Sequence, residues 1–526
     1  MTQVTNNRMT EITASSQNEQ DFPDRIAATF TNKVLFITGG TGFMGKVLLE
    51  KFLRRCSDID TIYLLVRNKK GKDPVQRIAE IFTSPLFDLV KKQRGGVKPL
   101  LKQVRPILGD VSLPDLGISK DDRQELTERV QIIYHCAATI RFDECLKKAV
   151  LLNTRGTKLM LQLAKECKQL LLFIHMSTSY CHLHVKHLLE KPYDPPADPH
   201  NIIKCVEWMD EDVIESITDK LLGNLPNTYA FTKALSEGLV NEQMDKLPVV
   251  ILRPSIVIPI WREPLPGWTD NINGPTGLLI GAGKGVIRTM FCDDSGYADY
   301  LPVDVAANGV LVGTWNFISN NDRTRRVFHL TSSAEIKVSW RELIELGRKI
   351  IQEKMPLNGV VWYPGGSMKK TRFAHNIAMF LFHLVPALFL DFILICTGHK
   401  PVLMRVQRRV NKGFEVFEYY ANNTWEFSNE NGLAIRAMLN PRERQLYKID
   451  GDGVDLEAYF TDCIHAARLY ILKETDDTIP AARRHMKVMW WVDKISKTLI
   501  IILFMWLLSK LFFSTLPIPS YFMHPK

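Results

Sequence analysis

The sequence predicts a doubly wound parallel α/β sheet followed by a mostly helical second half, and three observations carry that expectation. A short apolar run, Val34-Leu-Phe-Ile-Thr38, breaks into glycines at Gly39, Gly42 and Gly45 and resumes at helical spacing in Val47-Leu-Leu-Glu-Lys-Phe-Leu53. Four more apolar runs, at 61–66, 104–108, 130–134 and 170–175, alternate with helix-length segments, the pattern of successive β-α-β units. Beyond Thr331 the strand pattern fades, and amphipathic helical spacing begins at Val338-Ser-Trp-Arg-Glu-Leu-Ile-Glu-Leu-Gly347.

The glycine triplet is the first element with chemical meaning. Gly39 permits a sharp turn, Gly42 lets the backbone approach a pyrophosphate, and Gly45 lets the helix pack on its strand. Thr38, Phe43 and Met44 complete the turn, and a dinucleotide phosphate would rest on the free N–H groups and positive dipole end of the helix beginning near Phe43. Arg67 follows the second strand, with Lys69 and Lys70 just beyond. An acid there would accept bonds from a free ribose 2′-hydroxyl, whereas Arg67 and Lys70 suit a 2′-phosphate, so NADPH is expected over NADH. Asp110 and Val111, after the third strand, and Ala137 and Ala138, after the fourth, join the same carboxyl edge, where the alanines allow close approach of the cofactor.

With 526 residues the chain is long enough for two to four units of about 150 residues each, and its 46% hydrophobic fraction is ordinary for a globular protein. The formal charge of +10 raises nucleic acid and anionic membranes as partners. No run of Lys and Arg interleaved with aromatics marks a nucleic-acid groove, and the basic clusters flank apolar stretches, so membrane lipid or an anionic substrate is favoured. The nine cysteines show no C-x-x-C pair, as expected of reduced cytosolic thiols. Residues 1–31 read as a disordered tail without a signal peptide. At the other end, 495–516 supplies an apolar span if Lys497 and Lys510 snorkel, with Arg483, Arg484, Lys487 and Lys494 on its cytosolic side. A single-pass tail anchor is the first reading and an interfacial helix the second. The endoplasmic reticulum and the peroxisome both fit such an anchor, and self-association stays open.

Pro226-Asn-Thr-Tyr-Ala-Phe-Thr-Lys233 opens a helix on which Tyr229 and Lys233, four apart, share one face. A neighbouring ammonium is expected to lower the phenol's pKa and to hold a nicotinamide ribose. A hydroxyl from the end of the fifth strand, Thr178 or Ser177, would complete an oxyanion-stabilising pair with Tyr229. His175, His182, His184 and His187 match no common ligand spacing, so no metal is expected. Cys181 lies close in sequence, but direct hydride transfer needs no thiol nucleophile.

Together, Thr38-Gly-Gly-Thr-Gly-Phe-Met-Gly45, Ser177-Thr178, Tyr229-x-x-x-Lys233 and Arg253-Pro-Ser255 resemble the extended short-chain dehydrogenase/reductase pattern on a Rossmann sheet. More narrowly, Pro266-Gly-Trp-Thr-Asp-Asn-Ile-Asn-Gly-Pro275, Gly285-Val-Ile-Arg288, Asp299-Tyr-Leu-Pro-Val-Asp304 and Trp425-Glu-Phe-Ser-Asn429 resemble the alcohol-forming fatty acyl-CoA reductases, over about residues 32–470. That resemblance implies a two-step reduction of long-chain acyl-CoA to primary alcohol with NADPH as hydride donor, and it places Tyr229 and Lys233 as the catalytic pair. The expected organisation is a reductase domain over 32–335, a helical domain over 336–475 and the anchor. Within the second domain, 377–396 is strongly apolar but carries His383, Pro386 and Asp391, so it reads as a buried or membrane-abutting hairpin shaping an acyl channel. Two other functions fit the scaffold: an NADP-dependent epimerase or hydroxysteroid dehydrogenase, and a membrane-tethered nucleotide-binding protein without turnover.

Overall fold

The computed structural model describes residues 22–68, 71–272, 274–332 and 335–515, with the backbone alone over 511–515. Its centre is a seven-stranded, wholly parallel sheet. The first five strands are β1 (Val34–Thr38), β2 (Thr61–Val66), β3 (Val104–Leu108), β4 (Ile132–His135) and β5 (Leu172–Met176). They order as β3-β2-β1-β4-β5 and continue through the strands Val249–Pro254 and Val327–Leu330. Strand order reverses between β1 and β4, which opens a crevice at their carboxyl ends. All five residues of β1 and all six of β2 are buried, as unbroken apolar runs covered by helices on both faces should be. On one face Leu35, Ile37 and Leu64 pack with Leu48 and Phe52 of the helix Phe43–Arg55 and with the buried helix Val303–Ile318. On the other, Phe36, Ile133 and Phe173 pack with Leu235 and Leu239 of the helix Thr228–Asn241.

Three expectations change. Of the segment 1–31 only 22–31 falls among the described residues, and that part is ordered: Asp24 caps the helix Arg25–Thr29, Ile26 and Phe30 are fully buried, and Arg25 pairs with Glu443 at 2.6 Å. Apolar side chains at 26 and 30 anchor what polar composition alone made look like a tail.

The division at 335/336 is not a break between independent bodies. The strands Thr289–Phe291 and Ser367–Lys369 pair across it, as do His187–Leu188 and Glu426–Phe427. Gly267, at φ +72°, sits so close under the helix Leu456–Ala466 that a side chain there would collide with the Asp462 backbone. The later region is helical, yet it is woven onto the sheet domain.

The apolar segment near 377–396 is a helical stretch, Arg372–Cys396, followed by the helix Leu403–Ala421. Pro386 sits in the first turn of Val385–Cys396, just after a π-helical turn over Phe380–Leu384 that absorbs the break. Asp391 is buried, and its carboxylate accepts the backbone N–H groups of Val402, Leu403 and Met404, each at 2.9 Å, so it caps the next helix. The opposite face, with Phe373, Phe380, Phe389 and Phe392, is exposed rather than buried. Among the described residues this stretch is long and apolar enough to cross a membrane. The last helix, Ile479–Thr515, exposes a continuous apolar surface from Leu499 to Leu508, while position 516 of the expected anchor lies outside the described residues.

Candidate active site

The glycine turn follows β1 at the crevice. Gly39 has φ +74°, and a Cβ there would lie 2.7 Å from the Ala137 nitrogen at the end of β4. A Cβ on Gly45 would collide with the Gly39 carbonyl. Gly42 differs: its nearest neighbour would be the Gly39 oxygen at 3.3 Å, and it caps the helix Phe43–Arg55 with no side chain covering the first turn. Two glycines therefore close the turn, and the third keeps the positive end of the helix open to an anion. This arrangement fits a dinucleotide pyrophosphate.

Other expected cradle residues divide by role. The Thr38 hydroxyl is buried between His135 Nδ1 at 2.8 Å and the Ala137 N–H at 3.2 Å, so it ties β1 to the end of β4 instead of facing a ligand. Val111 is buried and packs against Gly156, while Asp110 accepts from the Ser112 N–H and hydroxyl. Arg67 is 60% exposed at the end of β2 and stands 3.5 Å from Asp110. Ala138 and Ala137 line the β4 end as half-buried residues, whereas Lys70 lies outside the described residues. The Pro266–Pro275 segment closes on the cradle, with Trp268 5.9 Å from the Phe43 ring and Asp270 paired with Lys46.

The second half of the site is carried by the helix Thr228–Asn241. Asn227 caps it, accepting from the Ala230 N–H at 2.9 Å, and donates through Nδ2 to the Tyr420 hydroxyl, also at 2.9 Å. Tyr229 is half-buried, and the Thr178 hydroxyl is near enough to its phenol to favour the phenolate. The Ser177 hydroxyl points instead at the Cys181 sulfur, 3.9 Å away. Of the two, Thr178 bears on the ionisation of the Tyr229 phenol. Lys233 is buried, and its ammonium donates to the Met176 carbonyl at 2.6 Å.

The expected lowering of the phenol's pKa is not what this arrangement produces. Burial raises Tyr229 above its ordinary value, with only the Thr178 hydrogen bond acting against it. Burial likewise lowers Lys233 to about 8. At neutral pH the phenol keeps its proton, the protonation state of an acid ready to donate, while the Lys233 ammonium is held at the Met176 carbonyl.

Several residues around Tyr229 have no motif to announce them. Phe142 stacks on it at 5.5 Å and touches Tyr420 at 5.2 Å, and Tyr180 and Trp425 extend the wall. Asn153, in the π-helical turn Val150–Arg155, bonds the Thr139 backbone through both amide atoms and the Thr232 hydroxyl at 3.0 Å, holding the Tyr229 helix against the β4 loop.

Cys181, His182 and Glu237 converge with their ligand atoms within 4.8 Å of one another. The Glu237 carboxylate, however, is gripped in two-pronged fashion by Arg253 at 2.6 and 2.9 Å, with His182 at 3.2 Å. This buried cluster ties the Tyr229 helix to the strand Val249–Pro254.

A doubly wound sheet with an anion-binding glycine turn and a Tyr–Lys–Thr cluster at its switch point defines a nucleotide-dependent oxidoreductase on a Rossmann fold. Models described as "Male sterility protein" match residues 37–310 and 382–474. The chain is 37% identical over 452 residues to Fatty acyl-CoA reductase wat of Drosophila melanogaster, covering 86% of each. It is also 37% identical to Fatty acyl-CoA reductase 1 of Rattus norvegicus, over 87% of this chain and 88% of that one. With Fatty acyl-CoA reductase 2 of Mus musculus the identity is again 37%, over 88% and 89% of the two chains. The chain belongs to the fatty acyl-CoA reductase family.

Among solved structures, the terminal R domain from the myxalamid PKS-NRPS biosynthetic pathway shares the fold, with a TM-score of 0.57 and 18% identity over 87% of this chain and 98% of that one. The reductase domain of a non-ribosomal peptide synthetase from Mycobacterium tuberculosis does so with a TM-score of 0.55 and 18% identity, over 86% and 98%.

Proposed function

We propose that this protein reduces long-chain acyl-CoA to the primary fatty alcohol in two successive hydride transfers, releasing CoA after the first and keeping the aldehyde in place for the second. The single observation that carries the mechanism is the Tyr229 phenol on the helix Thr228–Asn241 with the Thr178 hydroxyl near it. When bound, NADPH supplies hydride at the carbonyl. The residues of this chain do the rest. Attack on the thioester carbonyl places negative charge on its oxygen, and Tyr229 and Thr178 are set to hydrogen-bond that oxygen. On the aldehyde Tyr229 delivers the proton that makes the alcohol, and its raised pKa keeps that proton available at neutral pH. Lys233, whose ammonium donates to the Met176 carbonyl at the end of β5, would hold the nicotinamide ribose.

Support for NADPH over NADH comes from Arg67, exposed at the end of β2 where a 2′-phosphate would lie. Support for a membrane partner comes from the exposed apolar surface of Leu499–Leu508, which follows the basic residues Arg483, Arg484, Lys487, Lys494 and Lys497. We read the final helix as a single-pass anchor in the endoplasmic reticulum or peroxisomal membrane, with the reductase on the cytosolic side and the exposed face of Arg372–Cys396 resting against lipid.

The test is to incubate detergent-solubilised protein with NADPH and acyl-CoA of several chain lengths and to chromatograph the extracted products beside a Tyr229→Phe control. Fatty alcohol from the wild type with little from the variant is the expected result. Aldehyde alone would assign the second reduction elsewhere, and NADPH binding without any product would leave a nucleotide-binding scaffold.

A further inference from the structure

A cavity lies away from the nucleotide crevice, mainly among the helices of the later region. It encloses about 1260 Å³ including its open mouth. Its walls come from the helices Pro275–Gly283, Trp340–Lys349 and Leu456–Ala466 and from the paired strands Thr289–Phe291 and Ser367–Lys369. Leu279, Met290, Leu343, Ile344, Phe460 and Cys463 set its character, which is predominantly apolar. Its two cationic wall residues are already engaged. Arg288 donates to the Tyr363 carbonyl at 3.2 Å and stands 3.4 Å from Asp493, and Arg348 donates to the Gly366 carbonyl at 2.7 Å. Such a lining offers nothing to a sugar, phosphate or peptide and suits an uncharged chain.

Packing contacts also link the cavity wall to Tyr229. Tyr300 lines it, and the preceding residue, Asp299, donates its backbone N–H to the Tyr180 hydroxyl at 3.3 Å. Tyr180 packs against Tyr420, which touches Phe142, and Phe142 stacks on Tyr229. One backbone hydrogen bond and three ring contacts therefore connect the cavity wall to the phenol.

We propose that this cavity sheathes the alkyl chain of the substrate, so that Ile344 and Leu279 set the chain length the enzyme accepts. The proposal rests on the acyl-CoA reading above, and it places the chain-length determinant in the second half of the protein. Its physical basis is transfer of methylene groups out of water, about 0.8 kcal/mol for each one buried.

Two variants, Ile344→Trp to shorten the cavity and Leu279→Ala to enlarge it, are compared with the full-length wild type by two readouts. The first is saturable binding of the fluorescent long-chain fatty acid cis-parinarate without NADPH. The second is the ratio of kcat/KM for palmitoyl-CoA over octanoyl-CoA. Ile344→Trp is expected to weaken parinarate and to lower the ratio, each by about tenfold, about 1.4 kcal/mol. Leu279→Ala is expected to raise the ratio for chains longer than palmitoyl. If Ile344→Trp loses NADPH binding and has not folded, Leu279→Ala decides alone. Unchanged binding and an unchanged ratio in a folded variant would overturn the proposal. Parinarate binding that Ile344→Trp weakens, in a wild type that reduces no acyl-CoA, would overturn the activity reading and leave the cavity assignment standing.

Discussion

The nucleotide cradle and the pocket around Tyr229 are built in opposite ways. Between Thr38 and Gly45 every functional feature is backbone: a positive φ, two places where a Cβ does not fit, and a helix end left open. Around Tyr229 the backbone is ordinary helix, and function comes from side chains brought in from positions 142, 153, 178, 180 and 420. A site made of local backbone geometry is intolerant of any added atom. A site assembled from distant side chains should degrade in graded steps, each set by what the lost group touched.

Gly45→Val should have the largest effect, because its first side-chain carbon has no space beneath the Gly39 carbonyl. We expect loss of cooperative thermal unfolding or of NADPH binding, read by differential scanning fluorimetry and nucleotide fluorescence. A variant that folds and binds normally would end the contrast. Tyr229→Phe should come next, with alcohol formation falling by about 10²- to 10⁴-fold while NADPH affinity is kept. Thr178→Val should lower turnover by less than that, and Ser177→Ala should stay near wild type, since the Ser177 hydroxyl faces Cys181.

The pH profile sharpens the same comparison. Lys233, lowered to about 8 by burial, is cationic below that pH and neutral above it. Activity should therefore decline on the alkaline side with an apparent pKa near 8, and Lys233→Arg should carry whatever activity it retains to higher pH. Initial rates in a buffer series would show both. Arg67→Ala should weaken NADPH by about tenfold, about 1.4 kcal/mol, and leave NADH unchanged, as isothermal titration would show. A modest effect is expected from Tyr420→Phe, which removes one buried hydrogen bond to Asn227 and should cost about 1 kcal/mol in stability, measured by denaturant unfolding.

Legibility follows the same division. The second and third strands stand where their apolar runs placed them, and the fourth and fifth begin two residues later, so that His135 and Met176 close them. The segment 377–396 was legible as apolar, but not in its orientation. Its Asp391 argued for burial and is indeed buried, yet it faces the N-terminus of the next helix while the phenylalanines face outward. Composition along one segment carries no information about which neighbour will satisfy a charge.

By itself the sequence determined what depends on near neighbours in the chain: the parallel sheet from its apolar periodicity, the cradle from three glycines, and the shared face of Tyr229 and Lys233 from their spacing. Tertiary structure decided what depends on separation in space. It turned the Ser177 hydroxyl towards Cys181, set Thr38 to brace two strands, pushed the phenol's pKa up instead of down, and folded residues 419–428 back against a site that lies nearly two hundred positions earlier. Local geometry follows from the residues that make it, whereas burial and desolvation follow from whatever the rest of the chain packs on top.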